Sequence, residues 1–539
     1  MAEIAQLQAS EIRKYSSIHP RPADQKFTYG TAGFRLLGSL LDSVVFRVGL
    51  LASLRSRKLD GQTIGVMITA SHNPPDDNGV KLIDPQGEML EASWETYATK
   101  FANAASEDDL VKEYFNVVES LRINLSGPAR VVFGRDTRAS GPALVSALKD
   151  GLRSTDTKFT DYRILTTPQL HYIVKSINTQ NSPVPYGKPS EEGYYEKLAN
   201  AFKVVTKSKP KLASITVDAA NGVGGPKLKE LVKYIGSENL DVVIVKNDVT
   251  AAEKLNNQAG ADFVKTQQKL PTGLHPKPYE LYASLDGDAD RIVFYYIDET
   301  EKFHLLDGDK IASLAASFIR DLLAVSGVEL DVGVVQTAYA NGSSSTYLTD
   351  ILKVPVTVTP TGVKHLHHAA QLYDIGVYFE ANGHGTVLFS SNAVKTLESF
   401  EAHSPGQQSA VSTLLALQDL INQTVGDALS DLLLVVAILV HKAWGPQEWD
   451  LAYTDLPNRL VRVVVKDRHA FKTENAERKL VEPVGVQPII DDLVKKYKNG
   501  RSFVRASGTE DAVRVYAEAA TRLEADELAL KVSELLKGL

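Results

Sequence analysis

The sequence of 539 residues contains no cysteine. This absence excludes a disulfide framework, catalysis by a thiolate and every zinc site that needs a sulfur ligand. The amino-terminal segment lacks the basic and then apolar layout of a secretory signal, and it carries acidic residues that a transit peptide avoids. We therefore expect a protein of the reducing cytoplasm.

Positive charge is not in excess either. Lysine and arginine number 59 against 66 aspartate and glutamate residues, and the formal net charge is -7. Without a basic excess, no overall field favours nucleic acid or an anionic membrane. The longest apolar run, 432–440, has nine residues, whereas roughly 20 are needed to span a bilayer. We expect no nucleic-acid and no membrane partner, and no motif indicates an obligate protein partner.

What the sequence does contain is an average globular composition, with 43% hydrophobic and 23% charged residues. Its length corresponds to about three or four domains of roughly 100 to 200 residues. Apolar runs of strand length alternate with helical stretches such as 309–323, and the runs lie at 130–136, 213–219, 241–245, 331–337 and 376–383. This alternation predicts α/β domains with largely parallel sheets.

The carboxyl-terminal part has a different pattern. Segments 459–467 and 512–519 alternate apolar and polar residues, and a helical apolar face follows them, which predicts a smaller α+β domain. Clusters of proline and glycine at 181–193 and 445–458 indicate linkers, and domain size places another break near 297–308. We predict four domains around a central cleft, with the bounds 1–182, 183–298, 299–446 and 447–539.

One segment concentrates polar side chains after an apolar stretch. Residues 68–82 read ITASHNPPDDNGVKL, and we expect an exposed loop that presents Ser71 to a substrate. The alternative is an ordinary connecting turn, since Asn-Pro and Asn-Gly are common turn dipeptides. The local sequence leaves both interpretations open.

A second segment, 283–297, carries three aspartates at alternate positions between two apolar runs: Asp286, Asp288 and Asp290. Carboxylates this close repel one another unless a cation lies among them, and oxygen ligands suit Mg²⁺ or Mn²⁺. An EF-hand needs glycine and glutamate where this sequence has Arg291 and Ile297. The pattern therefore predicts a different metal site, with a solvated acidic turn as the alternative.

Three further segments combine glycine with polar groups at strand ends, namely 30–35, 379–387 and 504–515. The last brings arginine, serine and threonine side chains together with backbone N–H groups, which suits a phosphate. Each segment taken alone is an ordinary surface feature.

Histidines cluster once, at His365, His367 and His368 within 362–370. They begin a predicted helix and have no fixed partner, so we expect a surface role rather than a metal site. The sequence also lacks a P-loop ending and an HExxH motif.

Four of these segments in combination resemble the active-site loops of the α-D-phosphohexomutases. They are TASHNP around Ser71, DGDADR at 286–291, a Glu-x-x-Gly-His turn at 380–384 and RASGTE at 505–510. They occur one per predicted domain and in the order of that family. The resemblance implies a phosphoserine at Ser71, one Mg²⁺ bound by the three aspartates and the phosphoserine, a sugar-binding loop and a loop for the nonreacting phosphate.

The order of segments in the first domain narrows this resemblance. FGRDTRASG at 133–141 follows the serine loop, whereas it precedes that loop in ordinary phosphoglucomutases and phosphomannomutases. This order, with EANGHGT at 380–386 and YTDLPNR at 453–459, is similar to the phosphoacetylglucosamine mutase branch of the family. The rearrangement leaves the structural role of 133–141 open.

The reaction implied by that branch interconverts N-acetylglucosamine 6-phosphate and N-acetylglucosamine 1-phosphate on the way to UDP-N-acetylglucosamine. It passes through a phosphoserine enzyme and a hexosamine 1,6-bisphosphate, which serves as intermediate and activator. A phosphoserine carries about 1.5 to 2 negative charges at neutral pH, so nearby cations are needed. Positioning and electrostatics are what phosphoryl transfer chiefly requires.

The resemblance also implies roles for individual polar residues. Arg35, Lys81 and Arg291 would balance charge around Ser71, and His72 is either a proton carrier or a brace of the serine loop. The general base stays unassigned. The implied substrate contacts fall into a sugar set and a phosphate set: Thr361, Gly362, Lys364, Glu380, Asn382 and His384 for the sugar, and Arg505, Ser507, Gly508, Thr509 and Arg514 for the phosphate.

Two alternative functions are open. One is a mutase for glucose or mannose phosphates, against which the order of the first domain argues. The other is a catalytically silent sugar-phosphate sensor, against which the serine and the three aspartates argue, because a silent relative does not need them.

Overall fold

A computed structural model describes residues 2–212, 214–507 and 511–537 of the chain. These residues divide into two compact units. Unit 1 contains the described residues up to Leu305 together with Ala416–Ala443, and unit 2 contains Leu306–Leu415 and the described residues from Trp444 onward.

The first part of unit 1 is a five-stranded sheet with helices on it. Its elements are α1 (Ala2–Ser16), β1 (Phe34–Leu37), α2 (Asp42–Lys58), β2 (Thr63–Ile68), β3 (Asp77–Ile83), α3 (Ala92–Asn103), α4 (Glu107–Ser120), β4 (Arg130–Arg135), α5 (Gly141–Arg153), β5 (Lys158–Ile164) and α6 (Thr167–Thr179). The strand order is β1-β3-β2-β4-β5. The pairs β2/β4 and β4/β5 are parallel, and β1/β3 and β2/β3 are antiparallel.

The second part of unit 1 is another five-stranded sheet, with the order β10-β9-β8-β6-β7. Its elements are α7 (Glu191–Val205), β6 (Ile215–Asp218), α8 (Gly224–Ile235), β7 (Val242–Val245), α9 (Ala261–Gln267), β8 (Tyr282–Leu285), β9 (Ile292–Ile297) and β10 (Phe303–Leu306). Strand β6 is parallel to β7 and β8, and β8 is antiparallel to β9.

Unit 2 begins with a four-stranded sheet in the order β12-β11-β13-β14. Its elements are α10 (Gly308–Ser326), β11 (Val332–Thr337), α11 (Gly342–Thr346), β12 (Val356–Thr359), α12 (Val363–Ala370), β13 (Ile375–Phe379), β14 (Gly385–Phe389), α13 (Ser391–Ser399) and α14 (Pro405–Leu420). Strand β11 is parallel to β12 and β13, and β13 forms an antiparallel pair with β14.

The next helix, α15 (Ala428–Lys442), belongs to unit 1. Its residues from Ala428 to Val440 are all buried, which accounts for the nine-residue apolar run in the sequence as core. Within the described part of the chain, we find no helix with the length and hydropathy that a bilayer crossing requires.

The carboxyl-terminal part of unit 2 is a smaller α+β arrangement. Its elements are α16 (Pro446–Asp450), β15 (Asn458–Val464), β16 (Lys472–Glu474), β17 (Lys479–Glu482), α17 (Val486–Val494), β18 (Arg501–Ala506), β19 (Ala512–Glu518) and α18 (Arg522–Leu536). Strands β15, β19 and β18 form an antiparallel sheet, and β16 pairs with β17 as a hairpin.

The predicted fold class, three α/β domains and a smaller α+β domain, is confirmed. Parallel pairs run through each of the three larger sheets, and antiparallel strands extend each sheet at one side. The sequence signalled the buried parallel strands because they are continuous apolar runs. It did not signal β3 or β14, which follow polar turns and pair back onto the strand just before them.

The segment 445–458 was predicted to be a linker. In the structure it is held by buried contacts within unit 2. Trp449 is 1% exposed, and its indole Nε1 donates to the Lys310 carbonyl at 3.1 Å. The Lys310 ammonium in turn donates to the Asp450 carbonyl at 2.8 Å. Asn341 donates to the Leu456 carbonyl at 2.9 Å. The segment is therefore an anchored connection and not a loose tether.

Candidate active site

The serine loop is shorter than the polar segment 68–82. Strand β2 ends at Ile68 and β3 begins at Asp77, so Lys81 lies on a strand. Gly79 permits this early return, because a Cβ there would lie 2.5 Å from the carbonyl oxygens of Phe34 and Thr69. The remaining loop bends sharply, and Ser71 has a positive φ of 52°, which is uncommon for a residue other than glycine.

Ser71 is buried at 1% exposure and its hydroxyl faces carboxylates. Ser71 Oγ donates to Asp286 Oδ2 at 2.6 Å and lies 3.3 Å from Asp290 Oδ1. These residues are more than 200 positions apart in sequence. The fold of unit 1 thus brings the serine loop and the aspartate segment into one serine–metal site, which we define as Ser71, Asp286, Asp288 and Asp290.

The 133–141 segment supplies the brace that holds the serine loop. The guanidinium of Arg138, 1% exposed, donates to four carbonyl oxygens. Its Nη2 bonds Ser71 and Asn73, both at 2.9 Å, and its Nη1 bonds Pro74 at 2.5 Å and Asp77 at 2.8 Å. Five N–H donors in a rigid plane suit such a task. The structural role of the 133–141 segment is therefore to hold the serine loop through Arg138.

Asp136 completes this brace. Its Oδ2 accepts a hydrogen bond from Arg138 Nε at 3.0 Å and another from Thr69 Oγ1 at 2.7 Å. Thr69 Oγ1 then accepts from the Ser71 backbone N–H at 2.9 Å. Burial raises the pKa of Asp136, and the Arg138 charge acts against that rise. The serine loop follows β2, and Asp136 and Arg138 follow β4, which is the parallel neighbour of β2. Two loops at the same end of adjacent parallel strands lie close together, and this is the feature from which the contact could have been predicted.

Two further residues contact the loops of the serine–metal site, and sequence reasoning missed both. Asn256 Nδ2 donates to the carbonyls of Ser71 at 2.9 Å and Asn73 at 3.1 Å. The Ala428 N–H, at the start of α15, donates to the Ala289 carbonyl at 3.1 Å. Neither residue lies in a motif, so the sequence offered no signal for them.

The aspartates lie in the turn between the antiparallel strands β8 and β9. Asp286 Oδ1 accepts backbone N–H groups of Asp290 at 3.1 Å and Arg291 at 3.2 Å, which curls the turn around the carboxylate. Gly287 allows the close approach of the serine loop, since a Cβ there would lie 2.6 Å from the Ser71 carbonyl oxygen. Carboxylate oxygens of all three aspartates lie within 4.8 Å of one another.

The donor set and its electrostatics fit a hard divalent cation. The pKa of Asp286 is well above its usual value because of burial, followed by the negative charges of Asp290 and Asp288. Asp288 Oδ2 accepts from Thr167 Oγ1 at 2.5 Å, while its Oδ1 is buried and has no hydrogen-bond partner among the described residues. A bound ion such as Mg²⁺ prefers oxygen ligands of this kind. It would also offset the repulsion among the three carboxylates and give the unsatisfied Asp288 oxygen a partner.

Three cations surround the serine–metal site. Lys81 Nζ lies 3.8 Å from Asp290 and 4.0 Å from Asp288, and Arg291 Nε lies 4.0 Å from Asp286. Arg35 Nη1 donates to Asn73 Oδ1 at 3.4 Å. Burial, and then the Arg291 charge, lowers the pKa of Arg35, while the three aspartates act in the opposite direction. An anion added at Ser71 would relieve the repulsion between the two arginines.

His72 lies beside Ser71 as a neutral imidazole. Burial lowers its pKa to about 2, with further lowering by the charges of Arg291 and Arg35. Its Nδ1 is buried, and within the part of the chain that the structure describes it has no hydrogen-bond partner, so that nitrogen does not brace the loop. A neutral imidazole has a nitrogen lone pair that can accept a proton, but with a pKa this low it does so only if its surroundings change.

In unit 2, the predicted sugar loop is the turn of the β13–β14 hairpin. The Glu380 N–H donates to the His384 carbonyl at 2.8 Å, and the His384 N–H donates to Asn382 Oδ1 at 3.0 Å. Gly383 takes a φ of 90° in this turn. Glu380 and Asn382 are half-buried, whereas His384 is buried. The turn thus presents two polar side chains at the end of a sheet.

The second predicted sugar segment, 359–364, precedes α12. Gly362 has a φ of 129° before the first helical turn, which contains Lys364. The Thr361 N–H and hydroxyl both donate to Glu477 Oε2, at 2.9 and 2.5 Å. Glu477 was not singled out in the sequence, where it is one acidic residue in a polar turn.

The predicted phosphate residues lie on the β18–β19 pair. Arg505 and Arg514 are direct cross-strand partners, and Arg505 Nε donates to Glu477 Oε1 at 2.8 Å. The Ser507 N–H donates to the Ala512 carbonyl at 2.8 Å. Gly508 and Thr509 lie outside the described residues. Antiparallel pairing therefore places two arginines next to each other at one end of this sheet.

The expected surface role of the histidine cluster is wrong for one of its members. His365 and His368 are exposed, but His367 is 5% exposed, and its Nδ1 lies 3.1 Å from the Tyr378 hydroxyl. Helical geometry explains the difference, because His367 follows Leu366 on the face of α12 that packs on the sheet.

Family models match most of the chain. Two describe phosphoacetylglucosamine mutase AMG1, domain II at residues 190–293 and domain III at 307–444. Two describe phosphoglucomutase/phosphomannomutase, the α/β/α domain I at 51–109 and 102–187 and the C-terminal domain at 460–535. Fold and site together define a phosphohexomutase.

Full-length relatives specify the family further. The chain is 52% identical to phosphoacetylglucosamine mutase of Candida albicans, over 98% of this chain and 99% of the relative, and 52% identical to that of Homo sapiens, over 97% and 96%. It matches the structure of Aspergillus fumigatus N-acetylphosphoglucosamine mutase in complex with GlcNAc-6P and magnesium with a TM-score of 0.95, at 56% identity and 98% coverage of both chains. The chain belongs to the phosphoacetylglucosamine mutase family.

Proposed function

We propose that the protein is a phosphoacetylglucosamine mutase that interconverts N-acetylglucosamine 6-phosphate and N-acetylglucosamine 1-phosphate. The observation that carries the proposal is the buried Ser71 hydroxyl, 2.6 Å from Asp286 within a group of three carboxylates. A serine held beside a metal-binding cluster is the arrangement that a phosphoryl carrier needs. The relative crystallised with GlcNAc-6P and magnesium supports the choice of substrate and ion.

In the proposed reaction, the phosphoserine P–O bond breaks as a new P–O bond forms to the sugar O1, which yields the 1,6-bisphosphate. The bisphosphate then presents its other end, and Ser71 Oγ takes the phosphoryl group from O6. The serine is phosphorylated again, and no nucleotide is consumed. A structure of the Aspergillus fumigatus relative in complex with glucose 1,6-bisphosphate is consistent with such an intermediate.

Residues of unit 1 provide the electrostatics of the transfer. Asp286, Asp288, Asp290 and the phosphoserine would hold one Mg²⁺, which when bound polarises the phosphoryl oxygens. Lys81, Arg291 and Arg35 would offset the charge that develops on the transferring group. His72 is a candidate to accept or return the hydroxyl proton. The Arg138 brace keeps Ser71 in its strained conformation.

Residues of unit 2 would bind the sugar phosphate, with the contacts assigned as in the sequence analysis. We assign Glu380, Asn382 and His384, with the 361–364 segment, to the sugar, and Arg505, Ser507 and Arg514, with Gly508 and Thr509, to the nonreacting phosphate. We retain the domain bounds 1–182, 183–298, 299–446 and 447–539 and place the reaction in cytoplasmic UDP-N-acetylglucosamine synthesis.

The test is turnover by the purified enzyme on three substrates, the 6-phosphates of N-acetylglucosamine, glucose and mannose, with Mg²⁺ and added 1,6-bisphosphate. We expect the highest kcat/KM with the acetylated sugar. A preference for glucose or mannose phosphate would replace the proposal with the ordinary mutase, and no turnover of any of the three would favour a sensor. Intact mass with and without phosphatase should reveal about one phosphoryl group, lost in Ser71→Ala.

A further inference from the structure

A single turn of unit 2 contacts both predicted substrate segments. Residues 475–478 connect β16 to β17, and three of them, Asn475, Ala476 and Glu477, have positive φ values of 51°, 54° and 65°. Left-handed backbone at three successive residues other than glycine is costly and needs support from its surroundings. Arg478 gives part of that support by donating to the Asn475 carbonyl at 3.0 Å and to its side-chain oxygen at 2.6 Å.

The turn aims the Glu477 carboxylate at two partners, one for each oxygen. Oε2 accepts both the N–H and the hydroxyl of Thr361, and Oε1 accepts Arg505 Nε at 2.8 Å. The Glu477 side chain is 17% exposed and that of Arg505 is 25% exposed. A half-buried, charge-assisted bridge of this kind is stronger than a surface ion pair.

The bridge uses only one edge of the guanidinium. Glu477 receives its hydrogen bond from Nε, so it does not use the four N–H donors on the two terminal nitrogens, which are the donors that grip a phosphate in bidentate fashion. Two residues before Arg505 on β18, Phe503 packs against the Tyr339 ring in an edge-on arrangement at 5.0 Å. The carboxylate therefore fixes the orientation of Arg505 without occupying its phosphate-binding edge.

We infer that Glu477 is a positioning residue that couples the sugar segment at Thr361 to the phosphate clamp at Arg505. The inference rests on the proposed function, since it assumes that these two segments bind one sugar phosphate. By holding both with one carboxylate, Glu477 lowers the conformational cost of ordering them when the substrate binds. Its effect therefore falls on substrate binding and not on the phosphoryl-transfer step at Ser71.

The decisive variant is Glu477→Gln, because an amide has one acceptor oxygen and cannot accept hydrogen bonds on both sides. We expect the KM for N-acetylglucosamine 6-phosphate to rise by about tenfold or more, since charge-assisted bonds to both segments are weakened, while kcat falls by less than about threefold. Glu474→Gln is the matched control. Glu474 is an exposed glutamate in β16 of the same hairpin, and its substitution should leave both constants unchanged.

A double-mutant cycle tests the coupling itself. Thr361→Val removes the hydroxyl donor, and its effect on KM should be smaller in the Glu477→Gln background than in the parent. Hydrogen exchange of the segment 359–364 supplies a readout without turnover, and it should become faster in Glu477→Gln but not in Glu474→Gln. Full additivity of the two substitutions, or a KM within about twofold of the parent, would overturn the inference.

These outcomes are distinct from failure of the proposed function. If the parent enzyme turned over none of the three sugar phosphates while exchange at 359–364 still depended on Glu477, the coupling would stand and the assignment of substrate would fall. If the parent were active and exchange at 359–364 were the same in all variants, the function would stand and the coupling would fall.

Discussion

In unit 1, Ser71 and the three aspartates are at most 7% exposed. The serine loop is held by Asp136 and Arg138 from one segment and by Asn256 from another. In unit 2, Arg505 and Glu477 keep 25% and 17% of their side chains exposed, and one carboxylate joins the two predicted substrate segments. Buried, fully braced groups keep their orientation during charge transfer. Partly exposed groups stay accessible to a ligand that arrives from solvent. In the proposed function, the first region carries out the chemistry and the second binds the substrate.

The largest loss of turnover is expected for a substitution at Ser71, which lies in the buried region of unit 1. Ser71→Ala should lower turnover by about a thousandfold or more, because the phosphoryl acceptor is lost. The fold should persist, since alanine fills the same buried space. Stopped assays of N-acetylglucosamine 1-phosphate formation measure the loss. Ser43→Ala is the control, because Ser43 is equally buried at 1% and its hydroxyl has no hydrogen-bond partner among the residues that the structure describes. Turnover of Ser71→Ala within about tenfold of the parent would exclude Ser71 as the nucleophile.

The next largest effect is expected for the metal ligands. Asp288→Asn should weaken Mg²⁺ binding by about tenfold or more, because an amide lacks the charge that attracts the ion. Titration calorimetry with Mg²⁺ and activity after EDTA treatment provide the measurements. Asp431→Asn is a control of similar burial, because Asp431 is also 0% exposed. Burial, and next the Asp427 charge, raises the pKa of Asp431 well above its usual value. Full activity of the EDTA-treated parent would contradict the metal site.

The brace of the serine loop should contribute to both stability and turnover. Arg138→Lys keeps the charge but loses the planar donors, and the freed carbonyls and Asp136 would be left buried with fewer partners. We expect destabilisation of about 3 kcal/mol together with a marked fall in kcat, measured by urea unfolding and by assay. Arg135→Lys serves for comparison. Among the described residues, the Arg135 side chain donates a single hydrogen bond, from Nη1 to the Asp136 carbonyl at 3.2 Å. Equal stability of the two variants would argue against the brace.

The smallest expected effect is on the pH dependence of stability, and it concerns His19, which is not part of the serine–metal site. His19 lies 2.6 Å from Asp42 and 3.1 Å from Asp150. Burial acts to lower its pKa, but the hydrogen bonds to both carboxylates outweigh burial, and the pKa is raised. Folding therefore favours the protonated ring, so the stabilisation is complete below about pH 6.5 and is lost as pH rises through the folded pKa.

The predicted difference is below about 1 kcal/mol, the usual range for such ion pairs. Melting temperatures from pH 5.5 to 8 should fall with pH in the parent and vary less in His19→Gln. His403→Gln, at an exposed position in unit 2, should follow the parent. An identical pH dependence in His19→Gln would show that this histidine does not contribute.

Local patterns predicted much of the fold. The continuous apolar runs identified five of the parallel strands, namely β4, β6, β7, β11 and β13, and the 309–323 periodicity identified α10. Burial on both sides of a sheet, or on one face of a helix, leaves a regular pattern of apolar residues in the sequence. The alternating segments near the carboxyl end likewise predicted β15 and β19. Antiparallel strands such as β3 and β14 were not predicted, because their pairing depends on the turn that precedes them.

The sequence by itself determined the chemical groups: a serine in a polar loop and three aspartates at alternate positions, each recognisable because its members are neighbours in the chain. Only the tertiary structure decided that Asp286 receives the Ser71 hydrogen bond, that Arg138 and Asn256 hold the serine loop, and that Glu477 bridges Thr361 and Arg505. These contacts join residues up to 215 positions apart in the chain. Residue order encodes local geometry, whereas such pairings exist only after sheets and turns have brought distant segments within hydrogen-bond distance.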